Sequence, residues 1–178
     1  MKKILLTSAG FDNPNIRDKA LELIKSITNK TKVLFVITAA VTEGQKKVLP
    51  LCKAEIIGLG IKNSNIVTYD FESYITEEEI SQYHMIYVAG GHTQTLLDRF
   101  DLNKLPLDKF FTSGGLYLGV SAGSLIMTNA YEKSLNYLNL KLRVHQEIGS
   151  TWQEKSEVID LTDNQAILIR DDLIELIE

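Results

Sequence analysis

Short apolar runs alternate with amphipathic stretches along most of the chain. Ile4-Leu5-Leu6 leads into Thr7-Ser8-Ala9-Gly10, the pattern of a first strand and its exit loop. Apolar residues then recur at Ile16, Ala20, Leu23, Ile24 and Ile27, a single helical stripe. Pro14 stands near its start, and Arg17, Asp18, Glu22 and Lys25 are free to face water. Val33-Leu34-Phe35-Val36-Ile37 is apolar without alternation, as expected of a strand covered on both faces. A second helical stretch covers about Glu43 to Leu59, with Pro50 as a break or restart. Ile66-Val67-Thr68-Tyr69 is a weaker strand, and Thr76 with Glu79 has capping-box spacing for a short helix.

Met85-Ile86-Tyr87-Val88-Ala89 is the next strand and ends in Gly90-Gly91-His92. Helices are predicted from about Thr93 and around Leu107 to Thr112. The apolar run Leu116 to Val120 enters Ser121, and a helix leaves at about Ala122. This alternation predicts a three-layer α/β fold, a mostly parallel sheet with helices on both faces. The last part is richer in strands: "EVIDLT" and "QAILIR" flank the turn-favouring pair Asp163-Asn164. They are expected to form an edge hairpin or to extend the sheet. No repeat or linker divides the chain, so residues 1–178 are expected to form one domain.

Composition narrows the function classes. The chain has 178 residues and a formal net charge of −4, with no long basic run, so neither nucleic acid nor an anionic membrane is an expected partner. Cys52 is the single cysteine and sits among apolar neighbours, which predicts a packed thiol and excludes an intrachain disulfide framework. The opening "MKKILLTSAG" has too short an apolar run for a signal peptide, and no stretch approaches the ~20 apolar residues of a spanning helix. A cytoplasmic protein is expected. The three histidines are scattered without paired-ligand spacing, so no metal site is expected. Size alone suggests a homodimer.

Candidate chemistry lies in Gly119-Val120-Ser121-Ala122-Gly123, a G-x-S-x-G pattern between a predicted strand and a predicted helix. That context is the one in which a serine is held on a sharp bend with its hydroxyl clear of the backbone. Crowding at such a turn leaves little room for Cβ atoms at Gly119 and Gly123. The helix start after Ser121 aims N–H groups and a positive dipole end at the site. In a parallel sheet the Gly90-Gly91 loop shares the edge with Ser121. The amides of Gly91 and Ala122 are therefore candidate donors to an oxyanion. A serine nucleophile needs a base. His84 opens a strand and reads as structural, while His92 and His145 are both open on spacing alone.

These residues look familiar. "VAGGHTQTLL", "YLGVSAGSLIM", "LNLKLRVHQEIGS" and "VIDLTDNQAILI" resemble, in order, the serine peptidase family that contains peptidase E, the aspartyl dipeptidase. The resemblance implies a fold like that of class I glutamine amidotransferases, which is flavodoxin-like. It implies Ser121 as nucleophile, His145 as general base, and Gly91 and Ala122 as the oxyanion hole. The implied reaction is hydrolysis of a short peptide, or of a small amide, through an acyl-enzyme and without a cofactor.

Three features depart from the family pattern. His92 replaces the asparagine of "GGN", placing a possible second imidazole beside the site. The segment from Ser121 to His145 is shortened, and its nearest carboxylate, Glu132, is the candidate acid. Asn136, Glu147 and a Ser-His dyad are alternatives. No arginine stands between His145 and Arg170, so aspartyl specificity is not carried over. Two other functions remain open at this level: a non-catalytic binding or regulatory domain, and an amidohydrolase acting on a non-peptide amide.

Overall fold

The continuous apolar runs become interior strands, because only a strand covered on both faces can bury every side chain. The computed structural model describes residues 2–24, 28–151, 158–171 and 173–178. Strands β1 (Lys3–Thr7), β2 (Val33–Val36), β4 (Met85–Val88) and β5 (Leu116–Val120) are buried at every position, whereas β3 (Ile66–Tyr69) exposes its middle two residues. With β8 (Ala166–Arg170) and β9 (Leu173–Ile177) they form a seven-stranded sheet in the order β3-β2-β4-β5-β1-β8-β9. The first five run parallel, β8 is antiparallel to β1, and β9 is antiparallel to β8.

Successive residues of a strand enter opposite layers, as the pleat requires. Met85 and Tyr87 pack with Ile16, Leu23 and Ile56 from α1 (Pro14–Ile24) and α2 (Glu43–Gly58). Ile86 and Val88 pack on the other face, where α3 (Glu77–Ile80), α4 (Thr93–Arg99), α5 (Leu107–Thr112) and α6 (Ala122–Leu125) contribute Ile80, Leu96, Phe110 and Ile126 just past the end of α6. The molecule is therefore a mostly parallel α/β sheet with helices on both faces. Each fully buried leucine or isoleucine in these layers contributes roughly 1.5–3 kcal/mol. No helix among the described residues is long and apolar enough to cross a membrane.

Several details differ from expectation. Pro50 does not break α2, which runs unbroken from Glu43 to Gly58 behind a Thr42–Gln45 capping box. Pro50 and Lys46 are both exposed, so the Lys46 carbonyl that proline leaves without a partner can take water instead. The two C-terminal segments form no hairpin with each other. β7 (Val158–Asp160) pairs in parallel with β6 (Lys141–Arg143) in a separate two-stranded sheet, while β8 extends the main sheet. The expected Thr76–Glu79 capping box and the buried stripe Ile16, Ala20, Leu23 and Ile24 are present. Lys25, Ile27 and Glu157 lie outside the described residues.

Candidate active site

The carboxyl ends of β1, β4 and β5 meet at one edge of the sheet, since β1 and β4 flank β5 on either side. Ser121 follows β5 and caps α6 with φ 49° and ψ −109°, a conformation rarely adopted by residues other than glycine. Strain at such a turn persists only where the surroundings over-determine it. Here Ser121 N–H donates to Thr7 O at 3.0 Å, and the buried Ser124 hydroxyl lies 2.7 and 2.8 Å from Thr7 O and Gly119 O, which share its one proton. Gly123 passes so close to β4 that a Cβ would overlap the Val88 carbonyl oxygen, and one at Gly119 would strike the Gly123 carbonyl. The serine is thus fixed on a bend and partly open to solvent.

His145 brings an imidazole to this hydroxyl. Its Nε2 lies 3.0 Å from Ser121 Oγ, and its Nδ1 lies 2.6 Å from Asp163 Oδ1. A ring protonated at Nδ1 donates to the carboxylate and leaves Nε2 to accept the serine proton. His145 follows β6 with φ 57°, and its N–H donates to the Ser8 hydroxyl at 2.8 Å. Ser8, fully buried at the end of β1, donates in turn to Asp163 Oδ1 at 2.9 Å. Burial pushes the Asp163 carboxyl up, but the hydrogen bonds from Ser8 and His145 outweigh it and leave the group below the usual aspartate range.

Asp163, not Glu132, is therefore the carboxylate against His145. The reason is topological. Because β8 runs antiparallel to β1, with Thr7 opposite Ala166, the turn that enters β8 returns to the edge where β1 ends. Glu132 is exposed in the turn after α6, beside Lys133, and Asn136 and Glu147 are exposed as well. Among the described residues the His145 ring is hydrogen-bonded only to Ser8, Ser121 and Asp163. Asp163 and Ser8 were both visible in the sequence, as a turn residue and a loop residue. The missing signal was the direction of β8.

The remaining candidates separate cleanly. His92 caps α4: its Nδ1 accepts the Thr95 N–H at 3.2 Å and lies 2.8 Å from Thr95 Oγ1. Histidine here does the capping work expected of an asparagine. His84 accepts the Lys32 N–H at 3.2 Å and is structural, as expected. Gly91 lines the cavity with Ser121, and Ala122 opens α6 beside it. Neither amide has a hydrogen-bond partner among the described residues. Cys52 is buried at the cavity wall, where burial pushes its thiol up. Among the described residues, no three His, Cys, Asp or Glu side chains are grouped to hold a metal ion.

Comparison with known proteins bears on the fold and the family. Among solved structures, the chain is similar to a protein of Listeria monocytogenes EGD-e described as a candidate peptidase E. That likeness has 21% identity, 100% coverage of this chain, 98% of the other, and a TM-score of 0.69. It is also similar to a peptidase from an acI-B1 actinobacterium, at 18% identity, 99% and 87% coverage, and a TM-score of 0.72. Both likenesses bear on the fold. Comparison with curated proteins gives no match. The family model of peptidase family S51 matches residues 4–141, a span that contains Ser121 and stops just short of His145. With more than three quarters of its length matched, the chain belongs to peptidase family S51 and is a serine peptidase.

Proposed function

We propose that the protein hydrolyses short peptides through an acyl-enzyme on Ser121. The observation that carries this reading is the unbroken hydrogen-bonded line from Ser121 Oγ through the His145 ring to Asp163. In the first step His145 Nε2 takes the serine proton as Oγ bonds to the scissile carbonyl carbon. The imidazolium, steadied by ionised Asp163, then hands that proton to the leaving amine as the C–N bond breaks. Water, deprotonated by the same ring, bonds to the acyl carbon, and the ring returns that proton to Ser121 Oγ as the ester bond breaks and the acid leaves. The N–H groups of Gly91 and Ala122 receive the oxyanion, helped by the α6 dipole.

The reading takes the chain as one peptidase domain. A cytoplasmic setting is supported by the single, unpaired Cys52. Aspartyl specificity is not part of it, because among the described residues no lysine or arginine lines the cavity beside Ser121.

The test is Ser121→Ala assayed against a dipeptide library. Hydrolysis should vanish while the melting temperature holds, and a fluorophosphonate should label the wild type at Ser121 one to one. Unchanged turnover in Ser121→Ala would overturn the proposal.

A further inference from the structure

The cavity beside Ser121 holds about 390 Å³, within the usual range for small-ligand sites. One wall is apolar, made by Val48, Leu49 and Leu51 of α2. One turn beyond Leu51, Glu55 also lines the cavity. Its Oε1 accepts the Phe11 N–H at 3.0 Å, and its Oε2 accepts the Tyr87 hydroxyl at 2.6 Å. Both donors are neutral. Among the described residues no lysine, arginine or histidine pairs with Glu55. Among the described residues the other carboxylate in the lining is Asp12 and no lysine or arginine joins it, so the two carboxyl groups share the pocket without a cationic side chain. Burial, with a further push from Asp12, accordingly raises the Glu55 carboxyl above the usual range, although its two hydrogen bonds pull the other way.

We propose that Glu55 is a specificity-determining residue, and that the cavity selects a long cationic side chain, lysine or arginine, on the residue whose carbonyl is attacked. The inference rests on the peptidase reading above. An aliphatic stem would pack along Val48 and Leu49 while its charged head reaches the carboxylates. An acidic side chain in the same place would meet like charge. The Glu55 carboxylate is held by the Phe11 N–H and the Tyr87 hydroxyl, and among the described residues no hydrogen bond ties it to Ser121 or His145. A long side chain on the residue whose carbonyl is attacked would carry its cation to that carboxylate along the α2 wall.

The experiment measures kcat/KM on dipeptides that share a leaving residue and begin with Lys, Arg, norleucine or Asp. In parallel, lysinamide and norleucinamide are compared as protectants of Ser121 against a fluorophosphonate. Lys and Arg should exceed norleucine by about tenfold or more, a hydrogen-bonded charge against a side chain that ends one atom short of it. Asp should rank last, lysinamide should protect better than norleucinamide, and Glu55→Gln should draw the Lys-to-norleucine ratio toward one. Equal protection by the two amides, or norleucine or Asp matching Lys, overturns the inference even if Glu55→Gln fails to fold. So does an unchanged ratio in Glu55→Gln. Ser121-dependent cleavage without a Lys preference defeats only this inference. A Ser121 that neither cleaves nor takes the label defeats the peptidase reading with it.

Discussion

The Ser8 hydroxyl donates to the Asp163 carboxylate at 2.9 Å from a fully buried position, while accepting the His145 N–H at 2.8 Å. One oxygen at the end of β1 therefore ties His145 and Asp163 together across 137 and 155 positions of chain. Removing it should loosen both. Ser8→Ala is expected to lower kcat by about tenfold to a hundredfold, the worth of a hydrogen bond to a charged group, with KM close to the wild type. Ser8→Thr should recover part of the loss. A wild-type kcat in Ser8→Ala would show that Asp163 and His145 hold each other unaided.

Asp163→Asn should cost about 10⁴-fold in kcat/KM by favouring the wrong imidazole tautomer, whereas Glu132→Gln should leave turnover near the wild type. The same residue governs acid behaviour. Its carboxyl is depressed on folding, so the folded state binds fewer protons than the unfolded chain. The stabilisation is complete above the ordinary aspartate value of about 4 and is lost as pH falls through the lower folded value. Melting temperatures followed from pH 7 to pH 2 should fall less steeply in Asp163→Asn. Parallel curves for the two proteins would contradict the assignment, as would a larger kinetic loss in Glu132→Gln.

His92 separates capping from catalysis. His92→Asn keeps an oxygen acceptor for the Thr95 N–H and should preserve both turnover and melting temperature. His92→Ala should cost about 1 kcal/mol of stability while turnover persists. A kinetic collapse in His92→Ala with a functional His145→Ala would move the base to the other imidazole.

The interior of this fold and its nucleophile are local features, and so they are legible in the sequence. Four apolar runs, the Thr76–Glu79 box and the Gly119–Gly123 pattern each specify their own neighbourhood. The acid is not local. Asp163 reaches His145 only because β8 pairs antiparallel with β1, and a strand-like segment such as "QAILIR" carries no mark of its direction. Glu132, the nearest carboxylate in the sequence between Ser121 and His145, faces water instead. Pro50 illustrates a similar limit. A proline reads as a break unless it is known that the carbonyl it leaves unpaired faces solvent.

The direction of β8 also divides the machine into an early and a late part. Everything up to α6 supplies the proposed attacking oxygen, its bend and the candidate amides, whereas His145 and Asp163, the proposed proton-handling groups, arrive on the later segment that returns to the β1 margin. A nascent or clipped chain lacking that segment would present a serine with nothing to draw off its proton. Turnover then becomes a gauge of whether the last strands are docked.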